Sequence, residues 1–262
     1  MNKVALITGA SSGLGKEFAY IHARNGDDVV LIARREKALI RLKNELESRY
    51  PIHAMVIVSD LSRKEAPFDV FAATEAAGKT PDYLINNAGF GGHGYFHERE
   101  PEKDLEMIHL NIRSLVLLTR LYLPGMIQQK SGKVLNISSS ASFLPGPFQA
   151  TYYASKAFVT SFSQALAEEL KDLGITVTAL CPGLVDTGFI NTAGMDGVKF
   201  MKRQKPASPK RTAEIGYRAM MKGRLIAFDN LLLRLSLRWL IHFLPRRMVL
   251  KISRISMEKK SI

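Results

Sequence analysis

The chain has one cysteine, Cys181, in 262 residues, so no internal disulfide can form. A lone thiol fits a reducing compartment, and a cytoplasmic location is expected. Long apolar runs are also missing. Val4-Ala5-Leu6-Ile7 is cut off by Thr8 and Gly9, too soon for a secretion signal or a membrane span, and reads as a first β-strand. There is no Pro/Ser-rich linker and no repeat of solenoid length, so residues 1–262 read as one domain. Finger, helix-turn-helix and aromatic-rich RNA signatures are absent, which removes nucleic acid from the expected partners. His93 and His97 flank Tyr95 and Phe96 without a further ligand set, and no metal is expected.

Acidic residues are scarce in one region only. From Lys199 onward there are 17 Lys/Arg and three acids, Glu214, Asp229 and Glu258, leaving 20 basic and 21 acidic residues before it. The net charge of +13 therefore belongs to the tail, and the body is near neutral. Such a tail could meet nucleic acid, an anionic membrane or an acidic substrate, or is a solvated face that aids solubility.

What is present is an alternation of strand and helix patterns. Residues 3–8, 28–33, 53–58, 83–86, 133–138 and 175–180 are Val/Ile/Leu-rich strand runs. Residues 14–25, 36–49, 64–77, 102–129 and 151–173 have helical spacing, with Pro124 kinking or ending the fourth. Repeated β-α units with near-continuous apolar strands predict an α/β Rossmann-type fold. Its doubly wound parallel sheet would have about seven strands flanked by helices. Residues 186–210 break the rhythm and read as a substrate loop or lid at the carboxyl edge of the sheet.

Thr8-Gly9-Ala10-Ser11-Ser12-Gly13-Leu14-Gly15 lies between the first strand and the first helix. Gly9 permits the tight turn, Gly13 lets the backbone approach a pyrophosphate, and Gly15 lets the helix pack against the sheet. The helix N-terminus then offers free N–H groups to phosphates. This loop predicts dinucleotide binding. An NAD site wants an acid at the end of the second strand, but here the chain reads Ile32-Ala33-Arg34-Arg35. A guanidinium pairs with a 2′-phosphate and a carboxylate repels it, so NADP(H) is the expected cofactor. Arg34 is the favoured clamp, with Arg35 in reserve.

Tyr152 and Lys156 are four apart at the start of a helix, so both face one side. A tyrosine near pKa ~10 is a poor acid or base at neutral pH. A neighbouring ammonium lowers that pKa, and the phenol can then give a proton to a carbonyl oxygen or take one from an alcohol. Ser139 lies just past the fifth strand, where its hydroxyl can hold the substrate oxygen. Asn111 could anchor a water that relays protons to Lys156. Tyr153 is excluded, because Ala157 stands four residues after it.

Together these features resemble the short-chain dehydrogenase/reductase family, in its single-domain branch. The matching positions are Thr8–Gly15, Asp60-Leu61, Asn86-Asn87-Ala88-Gly89, Asn111, Ser139, Tyr152, Lys156 and Pro182-Gly183-Leu184-Val185-Asp186-Thr187. They cover about the first three quarters of the chain. The resemblance implies a catalytic tetrad of Asn111, Ser139, Tyr152 and Lys156. It also implies contact of Asp60 with the adenine amine, and a ribose and nicotinamide side lined by Asn87, Ala88 and Gly89. Asn86 would brace the central strand, and Val185 and Thr187 would hold the nicotinamide carboxamide. A homodimer or homotetramer through the fourth and fifth helices is implied as well.

Phe90-Gly91-Gly92-His93-Gly94-Tyr95-Phe96 and Phe143-Leu144-Pro145-Gly146-Pro147-Phe148 would border the substrate. Their aromatics suggest a hydrophobic ketone, aldehyde or acyl chain. The expected activity is an NADPH-dependent interconversion of a carbonyl and its alcohol. The alternative is a catalytically silent NADP(H)-binding sensor or scaffold, against which the complete tetrad speaks. Residues 224–262 form a basic C-terminal extension, Leu-rich around Arg234 and Arg238 and interrupted at Pro245. It reads as an amphipathic helical segment that lies on a membrane surface with Trp239 at the interface, covers the pocket, or meets a second subunit.

Overall fold

A computed structural model describes residues 2–195, 197–199, 205–238 and 243–259. Seven parallel strands form one sheet. They are β1 (Val4–Thr8), β2 (Asp28–Ala33), β3 (Ala54–Val58), β4 (Tyr83–Asn86), β5 (Gly132–Ile137), β6 (Ile175–Leu180) and β7 (Ile226–Ala227). The order across the sheet is β3-β2-β1-β4-β5-β6-β7. The winding reverses between β1 and β4, which leaves a crevice outside the carboxyl ends of those two strands.

Successive residues of a strand point to opposite faces, so each strand feeds two cores. Ala5, Ile7, Val29 and Leu31 join one apolar layer, whereas Val4, Leu6, Val30 and Ile32 join the other. The first layer is covered by helices α1 (Gly13–Arg24) and α2 (Glu36–Arg49) through Phe18, Leu39, Leu42 and Leu46. The second is covered by α3 (Ala66–Ala76), α5 (Leu115–Gln128) and α6 (Ala150–Leu170) through Val70, Leu118, Tyr122, Leu166 and Leu170. Burial on both faces is why the strands read as unbroken apolar runs.

Four sequence expectations change. The long fourth helix is α4 (Pro101–Ile108), a π-helical stretch His109–Ser114, and α5. Pro124 lies inside α5, which runs on to Gln128, so the break falls at the π-turn that carries Asn111 and not at the proline. The loop at 186–210 contains the short helix α7 (Phe189–Thr192), and Pro209 opens α8 (Pro209–Met221), which the apolar spacing did not reveal. The extension at 224–262 is not helical throughout. It first supplies β7, then α9 (Leu231–Arg238) and α10 (Arg246–Met257). Residues 196 and 200–204 of the expected lid, and Trp239, lie outside the described residues.

α8 completes the first layer by packing on α1. A Cβ at Gly216 would stand 2.7 Å from Leu180 Cδ2 and 3.1 Å from Phe18 Cζ, so the ring of Phe18 is clasped between α8 and the sheet. Phe18→Ala is expected to cost about 3–5 kcal/mol, because a fully buried aromatic ring is removed from the core. Urea denaturation of the two forms measures this, and a loss below about 1 kcal/mol would show that the site can collapse.

Candidate active site

The crevice is laced by two side chains. Thr8 Oγ1 accepts the backbone N–H groups of Asn87 and Ala88, both at 2.9 Å, and Asn87 Nδ2 donates to the Thr8 carbonyl at 2.8 Å. β1 and β4 are thereby held in register at their carboxyl ends. The glycine loop folds over this lacing. A Cβ at Gly15 would run into the Gly9 carbonyl and stand 2.7 Å from Asn87 Nδ2. Gly13 has φ +54, and a Cβ there would lie 2.8 Å from Thr187 Cβ. Ser12 caps α1 without a side-chain hydrogen bond, so the first N–H groups of the helix keep their capacity for a ligand.

One cavity of about 750 Å³ runs along this edge. It is lined by Gly9, Ser11, Ser12, Gly13, Leu14, Arg34, Arg35, Asp60 and Leu61 at one end, and by Asn87, Ala88, Gly89, Ser139, Tyr152 and Lys156 in the middle. Pro182, Gly183, Val185 and Thr187 line it as well. Gly15 and Asn111 lie behind its wall. The far end is apolar, with Leu144, Phe189, Met195, Leu237, Val249 and Met257. α9 and α10 therefore roof the cavity, as the pocket-cover reading of the tail anticipates.

The donor set fits a dinucleotide phosphate. A glycine cradle that a side chain would fill, an uncapped helix N-terminus and two arginines converge on one end of the cavity. The arginines take different positions. Arg34 is mostly exposed, with Nη1 3.7 Å from Asp60 Oδ2. Arg35 reaches back to the glycine loop and donates from Nε (3.2 Å) and Nη2 (3.0 Å) to Ser11 Oγ. Burial opposes ionisation of Asp60, but hydrogen bonds from Ser62 and the charge of Arg34 outweigh it and hold its carboxyl below the usual carboxylate value.

Tyr152 and Lys156 are both buried on the first turns of α6. Lys156 Nζ donates to the Ile137 carbonyl at 2.8 Å and stands 5.9 Å from the centroid of the Tyr152 ring. Burial pushes the Tyr152 phenol up to about 12, against the opposing effect of the Ser139 hydroxyl. Burial pushes Lys156 down to about 8, with Cys181 acting weakly the other way. The lowered phenol pKa expected from the Tyr/Lys pairing is thus not found in the protein alone. Desolvation acts on both groups, and the ammonium is drawn toward a backbone carbonyl. Ser139 Oγ accepts the Ala141 N–H at 3.1 Å, which leaves its own proton free to donate.

The side chain of Asn111 is held by its neighbours. Its Oδ1 accepts Phe90 N–H at 3.1 Å, and its Nδ2 donates to Phe90 O at 3.0 Å and Ser155 Oγ at 3.1 Å. The carboxamide clamps the loop that leaves β4 at Phe90. The π-turn at His109–Ser114 is what aims it there. Asn86 donates from Nδ2 to Thr119 Oγ1 (3.0 Å) and Asn136 Oδ1 (2.9 Å), bracing β4 against α5 and β5.

Several residues escaped the sequence reading. Phe189 on α7 lies 5.3 Å, centroid to centroid, from Tyr152, and a Cβ at Gly91 would stand 2.6 Å from its ring. Asp229 accepts Gly183 N–H at 3.0 Å and Thr212 Oγ1 at 3.4 Å, tying the end of β7 to the Pro182–Thr187 turn. Ser155 was hidden as one serine among many.

A family model described as short chain dehydrogenase matches residues 3–197. The chain belongs to the short-chain dehydrogenase family. It is an oxidoreductase of that family. Among curated relatives, a very-long-chain 3-oxoacyl-CoA reductase of Anas platyrhynchos is 34% identical over 255 residues, 95% of this chain and 78% of the relative. Among solved structures, a short-chain dehydrogenase from Sphingobium yanoikuyae in complex with NADPH superposes with a TM-score of 0.81 at 28% identity, covering 93% of this chain and 97% of that one. A 3-ketoacyl-(acyl-carrier-protein) reductase from Brucella melitensis complexed with NADH does so at 0.74 and 29% identity, covering 86% and 95%.

The buried lysine of this short-chain dehydrogenase makes its stability depend on pH. Lys156 titrates near 8 when folded, against an ordinary value of 10.5. Between these values the unfolded chain holds the proton and the folded chain does not, so stability rises with pH through that window. Below it the buried ammonium costs on the order of 3 kcal/mol. Lys156→Met is expected to stabilise the protein at pH 7, with the gain shrinking as the pH approaches 10.5. Chemical denaturation of both forms at the two ends of the window measures this, and an equal gain at both would rule out titration as its source.

Proposed function

We propose that this short-chain dehydrogenase interconverts a hydrophobic carbonyl compound, of ketone, aldehyde or acyl type, and its alcohol with NADP(H). The observation that carries the reading is one continuous cavity, with arginines and a phosphate cradle at one end, Tyr152 in the middle and an apolar wall beyond it. The acyl class is favoured by the relatives, one named for a 3-oxoacyl-CoA and another for a 3-ketoacyl carrier-protein substrate. NADPH and NADH both occur among the related structures, so cofactor choice rests on this chain's own residues. Arg35 is already engaged by Ser11, whereas Arg34 has one loosely held acidic partner and a free fork. Arg34 is the 2′-phosphate clamp and Arg35 braces the loop beneath it.

When bound, NADP(H) supplies or takes up the electron pair of the reaction as a hydride. The protein handles the proton. Tyr152 Oη gives its proton to the carbonyl oxygen in the reductive direction and takes one from the hydroxyl in the other. The elevated phenol pKa keeps that proton in place at neutral pH until charge develops on the substrate oxygen. Ser139, its acceptor side occupied by Ala141 N–H, directs its own proton at the same oxygen. Lys156 spends one of its three donors on Ile137 and keeps two for the cavity, where its charge favours the phenolate left behind. Asn111 positions Phe90 and the turn that borders the substrate. Assembly as a homodimer or homotetramer is part of this reading. Leu105, Ile108 and Phe158, exposed on α4 and α6, supply apolar contact surface for it.

Tyr152→Phe is expected to lower turnover by at least about 10²-fold while NADPH affinity stays within about threefold. NADPH binding is followed by fluorescence titration and turnover by NADPH oxidation with long-chain ketones and aldehydes. Retained turnover would refute the acid/base role. Tight NADPH binding with no substrate turned over by wild type would favour a silent sensor. Arg34→Asp is expected to weaken NADPH by about 10–100-fold and to spare NADH. An unchanged ratio of the two affinities would sink the clamp assignment.

A further inference from the structure

The roof of the cavity has a second face. On α9, Leu233 and Leu237 turn inward, while Leu231, Leu232 and Leu235 turn out, with Leu232 76% exposed. On α10, Val249 and Met257 turn inward, while Met248, Leu250 and Ile255 turn out. Phe243, just before α10, is 82% exposed. A soluble surface rarely leaves so many large apolar side chains of consecutive elements in water. α10 is fastened from within: Ser253 Oγ donates to Pro145 O at 2.8 Å, His93 Nε2 lies 2.7 Å from Met257 O, and Arg254 stands 5.8 Å from the ring centre of Phe148. The outward face is therefore presented by a held element.

Its charge selects the partner. Residues 231–238 and 243–257 contain no acid, and Arg234, Arg246, Arg247 and Lys251 are exposed among the outward apolar side chains. Two copies of this face brought together would bury cation against cation. An anionic lipid surface accepts both features at once, with apolar side chains entering the acyl boundary and arginines meeting headgroup phosphates. Among the described residues no helix is long and apolar enough to cross a membrane, so α9 and α10 would lie along the surface.

We propose that the outward face of α9, Phe243 and α10 docks this protein on an anionic lipid bilayer. Ile252 both lines the cavity and is exposed on this face, and Leu244 lines the cavity beside Phe243. The mouth of the cavity opens at the docking surface, so an apolar substrate passes between lipid and active site without crossing water. This last step rests on the function proposed above, whereas the docking does not.

Flotation of the full chain with vesicles of phosphatidylglycerol and phosphatidylcholine in equal parts, and of phosphatidylcholine alone, tests the docking without turnover. Wild type is expected to float with the anionic vesicles, less with the neutral ones, and less as salt is raised. The pairs Arg246→Glu with Arg247→Glu, and Leu232→Asp with Phe243→Asp, are each expected to lower partitioning at least about tenfold. Both pairs should keep wild-type melting and NADPH affinity, and turnover of a water-soluble ketone should be unchanged. No flotation, or flotation insensitive to both pairs, overturns the proposal. So does a self-associated wild type that the Leu232→Asp, Phe243→Asp pair dissociates while vesicle binding persists, since the face would then join copies of this chain. Loss of docking with intact ketone turnover separates this inference from the enzymatic one. Intact docking with no turnover of any carbonyl would count against the enzymatic one alone.

Discussion

The contact on which the site depends is the pair of bonds from Asn87 and Ala88 to the hydroxyl of Thr8. A parallel sheet whose winding reverses must part its crossovers somewhere, and here they part between β1 and β4. Thr8 holds the two strand ends together at that point, so the backbone leaving each one emerges on opposite banks of a single crevice. The glycine loop forms one bank. The Asn87–Gly89 turn forms the other, and a Cβ added at Gly89 would lie 2.9 Å from Asn111 Oδ1 and 3.5 Å from Lys156 Nζ. The phosphate end is thus set by the loop that leaves β1, and the proton-handling end by the short turn that leaves β4.

From that stretch the chain builds outward in layers of polar support. Asn86 braces β4 to α5 and β5, and Asn111 holds Phe90 from a π-turn. Ser138 donates its hydroxyl proton to the Lys156 carbonyl at 2.9 Å and accepts from Thr160 Oγ1 at 2.6 Å. These groups are buried, so each polar atom is costly unless paired, and of the atoms in this network Asn86 Oδ1 is left without a partner among the described residues. Lys156 is a second exception. Its charge is desolvated and met by one carbonyl, which is why its pKa falls toward neutrality. A group under such pressure gains from any ligand or phenolate that brings negative charge nearby, which is a useful property in a site that must move a proton.

The apolar half of the cavity has a different origin. It is assembled from α7, α9 and α10, elements far apart in sequence from the sheet edge they cover. Phe189 closes on Tyr152, Ser253 and Met257 tie α10 to the turns around Pro145 and His93, and Asp229 joins the last strand to the Pro182–Thr187 turn. Residues 224–262, which hold α9 and α10, carry nine Lys/Arg against two acids. One piece of chain thereby serves as wall to the substrate on its inner side and as a charged apolar face on its outer side.

Local signals made about the first three quarters of this molecule readable. Strand boundaries at 28–33, 83–86 and 175–180 follow from apolar runs closed by polar or turn residues, because burial on both faces demands such runs. The glycine spacing, the missing acid after β2 and the four-residue step from Tyr152 to Lys156 each report a local backbone or charge requirement, which sequence can express. Tertiary structure alone decided what depends on distance. The π-turn and the two-residue β7 arise from packing that no local pattern encodes. The division of labour between Arg34 and Arg35 depends on where Ser11 and Asp60 sit. The elevated Tyr152 phenol and the lowered Lys156 ammonium arise from desolvation by groups remote in sequence, a property of the folded environment that no spacing of two residues contains.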